Sequence, residues 1–355
     1  MKLRGLTLIL NEDCNFHCRY CYKPKKKEAS LDYPRARRAL AFFLPYLGKD
    51  YQISFYGGEP LLCFETIRKI VSFLDERGSR PSAKVRYSLT TNGSLLSGEA
   101  VEFLGKHRFA VTLSFDGLAQ DRQRQKGSFD RILSRLKTLR DEPGLDLSVN
   151  SVFTAGTVGC LADSVRLLMD LKVPRIYFAL STLAPWDAQA LDRLKEQLSR
   201  LRKLAVRHLQ GTGEIPLDFF RTEQSRGIFS CAGGKNWLAL NPEGRVWGCY
   251  LFSDYFEGRE VSEDYERYCF GRLSSFRKKP AVLHARHAVH YARLTMDHFS
   301  TSRGPCFLCP DVLHCAVCPV NAALAGVPLG RIPDHLCAIQ KIRARELEKF
   351  RQATL

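Results

Sequence analysis

Residues 11–24 read NEDCNFHCRYCYKP, with Cys14, Cys18 and Cys21 separated by three and then two residues. Four-iron clusters ordinarily take four thiolates. Three at this spacing hold three irons and leave the fourth without a protein ligand. Such an iron can bind a small molecule and do chemistry, as an open metal position does elsewhere. The competing reading is a partial zinc site, which wants a fourth Cys or His in register. His17 is nearby, but as Cys18's immediate neighbour it would have to share a very tight loop with it.

The loop directly follows Leu6–Leu10, an apolar run that reads as a buried first strand. Further strand-like runs follow at 51–56, 84–89, 109–115, 145–153 and 175–180. Amphipathic stretches at 34–47, 64–77, 98–106, 129–140 and 161–171 lie between them. Strands alternating with helices imply βαβ units and a parallel sheet. Six units are fewer than the eight of a closed barrel, so the expected fold is α/β, an open partial (β/α)6 barrel. The cysteine loop then sits at the carboxyl end of the sheet, where ligand sites of such folds lie.

Asp187–Gln210 reads as a long helix ended by Gly211 and Gly213. Beyond it the periodicity breaks. Trp237–Leu240, the turn at Asn241-Pro242-Glu243-Gly244, and Arg245–Cys249 read as a hairpin. Residues 338–352 read as a polar, Arg-rich final helix. The expected division is residues 1–212 as a partial barrel, 213–230 as a bridge and 231–355 as a small Cys-rich domain.

The chain carries 13 cysteines, an odd count with tight C-x2-C pairs and no secretion signal. This argues against a disulfide framework and for metal ligation in a reducing cytoplasm. No apolar run reaches the ~18 residues of a membrane span. The formal net charge is +17, which raises the question of nucleic acid. The cations are spread along the chain with no RNA- or DNA-binding pattern. Local runs at Lys23, Lys25, Lys26 and Lys27, and at Arg35, Arg37 and Arg38, read as a solvated face or as a rim for an acidic peptide.

The later cysteines stand at 231, 249, 306, 309, 315, 318 and 337, with CFLCPDVLHCAVC at their centre. This cluster can ligate zinc or iron–sulfur, and the N-terminal loop tips the reading to iron–sulfur. Cys63 and Cys160 read as buried thiols. His284, His287, His290 and His298 read as a solvated or partner-facing surface.

With these motifs the chain resembles a radical S-adenosylmethionine enzyme with a C-terminal SPASM domain, over nearly its whole length. The resemblance implies that Cys14, Cys18 and Cys21 hold a 4Fe–4S cluster whose open iron binds S-adenosylmethionine. Tyr20 belongs to that motif. FYGGEP, with Gly57, Gly58, Glu59 and Pro60, resembles the stretch that binds the methionine amino group. TTNG, with Asn92, and SFDG, with Ser114 and Asp116, fall at the ends of strands three and four as in relatives. Asn150 is expected near the ribose. For the last three a turn or cap role is an equal reading.

By the family's arrangement, Cys306, Cys309, Cys315 and Cys337 hold one auxiliary 4Fe–4S cluster. Cys231, Cys249 and Cys318 belong to another, either open or completed by Cys269. The gap before Cys318 is two residues, where the family usually has three. The implied reaction is oxidative modification of a ribosomally made peptide, forming a thioether or carbon–carbon crosslink. A one-electron donor resembling flavodoxin or ferredoxin is the implied partner. About ten residues precede the cysteine loop, so no separate leader-binding domain is expected there. A sulfatase-type formylglycine maturase is the alternative within the superfamily. There an Asp follows the hairpin Cys as proton acceptor; here Tyr250 does, leaving Tyr250, Asp254 and Asp116 as candidates. A non-catalytic iron–sulfur or zinc adaptor is the alternative of another class.

Overall fold

The structure, a computed structural model, describes residues 1–23, 29–77, 84–221 and 231–354. Lys25, Lys26 and Lys27 of the basic run, and residues 222–230 of the bridge, lie outside the described residues. Six strands alternate with helices as expected. They are β1 (Leu3–Asn11), β2 (Leu47–Gly57), β3 (Lys84–Thr91), β4 (Ala110–Ser114), β5 (Asp146–Phe153) and β6 (Ile176–Leu180). Each pairs in parallel with its successor, so the strands stand side by side in chain order. The helices between them are α1 (Tyr33–Phe43), α2 (Phe64–Arg77), α3 (Gly98–Lys106), α4 (Phe129–Asp141) and α5 (Leu161–Asp170), and α6 (Ala188–Thr212) follows β6.

Local chemistry sets several boundaries. The Asp32 carboxylate accepts from the Arg35 amide, and Pro34 occupies the first turn of α1. The Ser97 hydroxyl caps α3 at the Ala100 amide, and Asp187 caps α6 at the Ala190 amide. Gly213, at φ +74, closes α6 in the left-handed conformation that favours glycine.

The two faces of the sheet differ. One face sends Leu6, Leu8, Ile53, Phe55, Tyr87, Leu89, Val111 and Leu113 into the core with the helix residues Ile67, Val71 and Leu104. The other is polar. Thr7, Ser54 and Ser88 stand in register across β1, β2 and β3, and the Ser88 hydroxyl donates to Ser54 at 2.8 Å. Thr112 and Ser148 meet at 2.9 Å on β4 and β5. A closed barrel fills its interior with branched apolar side chains. Here the polar face lines open space.

The hairpin read from the sequence is present as β7 (Trp237–Leu240) and β8 (Arg245–Trp247), antiparallel to each other. β9 (Cys269–Arg272) adds to β8. Their placement was not legible. β7 pairs in parallel with β1, so one nine-stranded sheet runs β6-β5-β4-β3-β2-β1-β7-β8-β9. The hairpin thereby covers the edge that β1 would otherwise leave unpaired. Gly5 permits the contact: a Cβ there would stand 2.4 Å from the Trp237 ring. Short helix α7 (Tyr250–Tyr255) follows the hairpin, α8 (Pro280–Ala292) follows β9, and α9 (Asp334–Thr354) ends the described chain.

The histidine reading needs correction. α8 turns His287 inward, where it is buried, its Nδ1 lies 2.9 Å from the Arg267 carbonyl, and its ring packs on Phe270. His284 stacks on Phe270 as well, and His298 lies beyond the helix. Aromatic packing against β9 fixes this face, which is therefore only partly solvent-exposed. Among the described residues no helix is long and apolar enough to cross a membrane.

Candidate functional site

A cavity of about 330 Å³ opens at the carboxyl ends of β1–β6. Cys14, Cys18 and Cys21 all line it. Their loop is stapled to the Gly57–Pro60 turn: the Glu59 amide donates to the Asp13 carbonyl at 2.8 Å, and the Gly58 amide to the Asn11 carbonyl at 3.1 Å. The approach is close enough that a Cβ on Gly58 would stand 1.9 Å from the Asp13 carbonyl oxygen. Glycine is therefore required by contact.

Gly57, Gly58, Glu59, Asn92, Ser114, Asn150 and Tyr20 line the same cavity. The Glu59 carboxylate is buried and receives three donors: the Thr91 hydroxyl at 2.7 Å and the Leu61 and Asn92 amides at 3.1 and 2.7 Å. Burial pushes its acid up, and these hydrogen bonds pull against it. Glu59 thus ties the β2 turn to the end of β3. Asn92 Nδ2 reaches Asn15 at 2.9 Å and approaches Cys14 Sγ at 3.7 Å, which fixes the cysteine loop from the side. Pro60 is buried at the start of the following turn and does not line the cavity.

Asp116 is fully buried beneath the cavity. It accepts from the Tyr20 hydroxyl at 2.6 Å, Gln123 Nε2 at 2.7 Å and the Val152 amide at 2.9 Å. It therefore anchors Tyr20 rather than facing the open space. Ser114 and Asn150 pair directly across β4 and β5.

Sequence reasoning missed Arg124. It lines the cavity, buried, with Nη1 3.6 Å from Asp116, and its guanidinium lies 5.9 Å from the Tyr20 ring. Its Nε has no hydrogen-bond partner. No local motif marks it, because it is one arginine among many and only the fold brings it beside the cysteine loop.

Tyr250 also lines the cavity, on the side facing the hairpin. Its ring lies 4.0 Å from that of Tyr56, whose hydroxyl meets that of Tyr22 at 2.6 Å. Asp254 stands behind this wall, paired to Lys23 at 2.6 Å. Tyr22, Tyr56, Thr182 and Asn321 were not singled out from sequence. The Thr182 hydroxyl donates to the Asn321 side chain and carbonyl at 3.1 Å, joining the end of β6 to the Cys-rich segment.

The later thiols fall into two neighbourhoods. Burial pushes Cys249 up to about 12, and Cys231 and Cys318 add to the rise as neighbours. Gly233 sits between two of them: a Cβ there would meet Cys231 Sγ at 3.3 Å and Cys249 Cβ at 3.4 Å. Burial likewise pushes Cys315 up to about 11, with Cys306, Cys337 and Cys309 as its thiol neighbours. These four line a cavity of about 230 Å³. Cys269 has other contacts: the Gly271 amide at 3.4 Å, with Tyr265 and Arg245 beside it. Cys63 is held by Asn11 and Cys160 by Arg122.

Among the described residues no three His, Cys, Asp or Glu side chains converge closely enough to hold a single ion. A cluster asks for something different, because each thiolate takes its own iron. The donor chemistry fits: three thiols of one backed loop face one cavity, and burial pushes Cys18 up to about 11 despite nearby Arg124. A bound metal would displace the Cys18 proton, which burial otherwise holds on the sulfur.

The three-thiol loop, with Cys14 and Cys18 half-buried and Cys21 exposed, stands at the carboxyl mouth of an open α/β barrel. The chain belongs to the radical SAM superfamily, whose family pattern matches residues 8–152. It is 24% identical over 300 residues to the radical SAM cyclopropyl synthase TigE of Paramaledivibacter caminithermalis, covering 75% of this chain and 63% of that one. It is 33% identical over 278 residues to the uncharacterized protein MJ0907 of Methanocaldococcus jannaschii, covering 70% of this chain and 95% of that one. In fold it is similar to native anSMEcpe with bound AdoMet and Cp18Cys peptide, with a TM-score of 0.74, 16% identity and 99% of each chain covered.

Proposed function

We propose that this chain uses S-adenosylmethionine to modify a ribosomally made peptide oxidatively, forming a thioether or carbon–carbon crosslink. The observation that carries the reading is the gathering of seven later cysteines into two largely half-buried groups, one of which adjoins the wall of the cysteine-loop cavity. A crosslink removes two hydrogens from the peptide. One leaves as a hydrogen atom, and the other as a proton and an electron. The electron needs an acceptor inside the protein, and two auxiliary 4Fe–4S clusters on these thiols would supply one. Cys231, Cys249 and Cys318 would hold the first, and Cys306, Cys309, Cys315 and Cys337 the second.

Cys14, Cys18 and Cys21 would hold the cluster whose open iron takes S-adenosylmethionine, which with one electron from a flavodoxin- or ferredoxin-like donor would supply the radical chemistry that takes the hydrogen atom. The chain's own residues do the rest. The Gly57–Gly58 turn would let backbone approach the methionine amino group, and Arg124 would offer its guanidinium to the carboxylate. Ser114 and Asn150, which line the same cavity, would offer polar groups to the ribose. Tyr250, Tyr56 and Tyr22 close the side toward the hairpin and keep water from the reacting centre.

The residue after the hairpin cysteine weighs against the formylglycine alternative. Tyr250 packs on Tyr56, whereas an aspartate there would offer an open carboxylate. Of the remaining candidates Asp116 is engaged by three donors, and Asp254 keeps Oδ2 without a hydrogen-bond partner. The relatives support a peptide substrate through the peptide bound to anSMEcpe.

The test is anaerobic reconstitution with iron and sulfide, followed by assay for 5′-deoxyadenosine under a reductant. Co-expression with small peptides encoded beside the gene, read by mass spectrometry, follows. A peptide lighter by two hydrogens is the expected product. A fully loaded protein that releases no 5′-deoxyadenosine would overturn the reading.

A further inference from the structure

A second cleft, of about 730 Å³, lies at the opposite end of the barrel, where α5 turns into β6. Its floor is apolar, built from Met169, Val173, Leu204 and Ile215. Its rim carries Arg166, Lys172, Arg207 and Arg221, set against Asp170 and Glu214, with His208 among them. Arg166 is paired with Asp163 at 3.0 Å. Lys172 and Arg207 are exposed and have no ion pair with any described carboxylate, whereas Arg221 lies within electrostatic reach of Asp218.

Lys172 adds a separate observation. It follows α5 with φ +56, the left-handed conformation in which helices commonly end on glycine. A lysine held there costs about 1–2 kcal/mol of backbone strain. That strain places an ammonium on the rim of the cleft where glycine would place none.

We propose that this cleft docks an acidic, apolar-punctuated segment of the precursor peptide, outside the part that reacts. The proposal rests on the peptide-modifying reading and adds where the substrate is held. Carboxylates of such a segment would meet the unpaired Lys172 and Arg207, and its apolar side chains the floor. The apolar floor favours a peptide over a nucleic-acid backbone, which would ask for cations alone. The geometry also constrains the partner. β6 has five residues and leads from the cleft to the cavity mouth at Leu180 and Leu183. At ~3.3 Å per residue this is roughly 17 Å. At least about five extended residues must therefore separate the docked segment from the residue that reacts.

The test measures binding without chemistry. A fluorescein-labelled peptide of alternating glutamate and leucine is titrated with the reconstituted protein and followed by anisotropy. A lysine–leucine peptide and a single-stranded RNA of similar length serve as competitors. Lys172→Gly and Arg207→Glu are each expected to weaken the acidic peptide by about tenfold or more. Lys69→Glu, on exposed α2, is expected to leave it unchanged. Glycine accepts φ +56, so Lys172→Gly should hold or raise the melting temperature, which separates lost docking from lost folding. Arg207→Glu should in turn improve the lysine–leucine peptide. Equal loss with Lys69→Glu, no loss with either cleft variant, or RNA displacing the peptide more strongly than unlabelled acidic peptide would overturn the proposal. Release of 5′-deoxyadenosine by the variants, measured in parallel, tests the peptide-modifying reading separately.

Discussion

Lys23 and Asp254, 231 residues apart in sequence, form an ion pair of 2.6 Å whose side chains are only 9% and 4% exposed. Lys23 lies two residues beyond Cys21, and Asp254 lies on α7 just beyond the hairpin. The pair joins the cysteine loop to the Cys-rich segment across the wall of the cavity. Burial pushes the Asp254 carboxyl up, and Lys23 holds it back down.

Removing one partner strands the other. Asp254→Ala is expected to cost about 3–5 kcal/mol, because it leaves a buried ammonium unpaired. The double variant Lys23→Met, Asp254→Leu should recover most of that loss. Urea unfolding of the three proteins checks the order. A double variant no more stable than Asp254→Ala would mean that the pair is not the source of the loss.

Gly58→Ala sets a methyl group 1.9 Å from the Asp13 carbonyl oxygen. Backbone must shift, at about 1–3 kcal/mol. The shift falls on the cysteine loop alone, so iron bound by Cys14, Cys18 and Cys21 should be lost while iron on the later cysteines stays. Iron counting and electron paramagnetic resonance distinguish this from general unfolding.

A triple Cys14, Cys18, Cys21→Ala variant is expected to retain roughly two-thirds of the iron of the reconstituted protein. Retention of none would argue for a single cluster. Retention of all would remove the cysteine loop as a cluster site.

Arg124 reaches the cavity with its Nε unpartnered. Arg124→Ala is expected to weaken S-adenosylmethionine binding by about tenfold or more, and Arg124→Lys by less, since the charge stays while the fork is lost. Equilibrium dialysis on reconstituted protein reads both. Equal affinity in all three would assign the arginine to Asp116 alone.

Glu346 on α9 is buried and receives Arg202 of α6 at 3.0 Å and Lys349 at 2.7 Å. Burial pushes its carboxyl up, but these two hydrogen bonds together hold it below the ordinary value. A depressed carboxylate stabilises above its unfolded pKa and loses that contribution as pH falls through its folded one. Glu346→Gln should therefore cost about 1–2 kcal/mol near neutrality, with the difference from wild type closing below about pH 4. Urea midpoints from pH 7 down to 3.5 check it.

Much of this fold could be read locally. The boundaries of α2 and α3 coincide with their amphipathic stretches, and the six strands fall where apolar runs stood between helices. Cys14, Cys18, Cys21, Gly57, Gly58, Glu59, Asn92, Ser114 and Asn150 line one cavity because they stand at strand ends, which chain order already places together. Arg124 and the contact of Tyr22, Tyr56 and Tyr250 were not legible, because each depends on side chains brought together from separate elements. The inward turn of His287 was misread for a related reason. A histidine every third or fourth residue marks one helix face, but what covers that face is decided by Phe270 on another strand.

The pairing of β1 with β7 carries a consequence for how the chain is made. Trp237 donates to the Thr7 hydroxyl from 230 residues away. During synthesis at about 5–20 residues per second, the flank of β1 waits roughly ten seconds to most of a minute for its second neighbour. An apolar strand with open amide and carbonyl groups is a template for aggregation throughout that interval. Truncation before residue 237 leaves it open permanently, so the barrel half expressed alone is expected to aggregate, whereas the chain that includes β7 holds β1 between two neighbours.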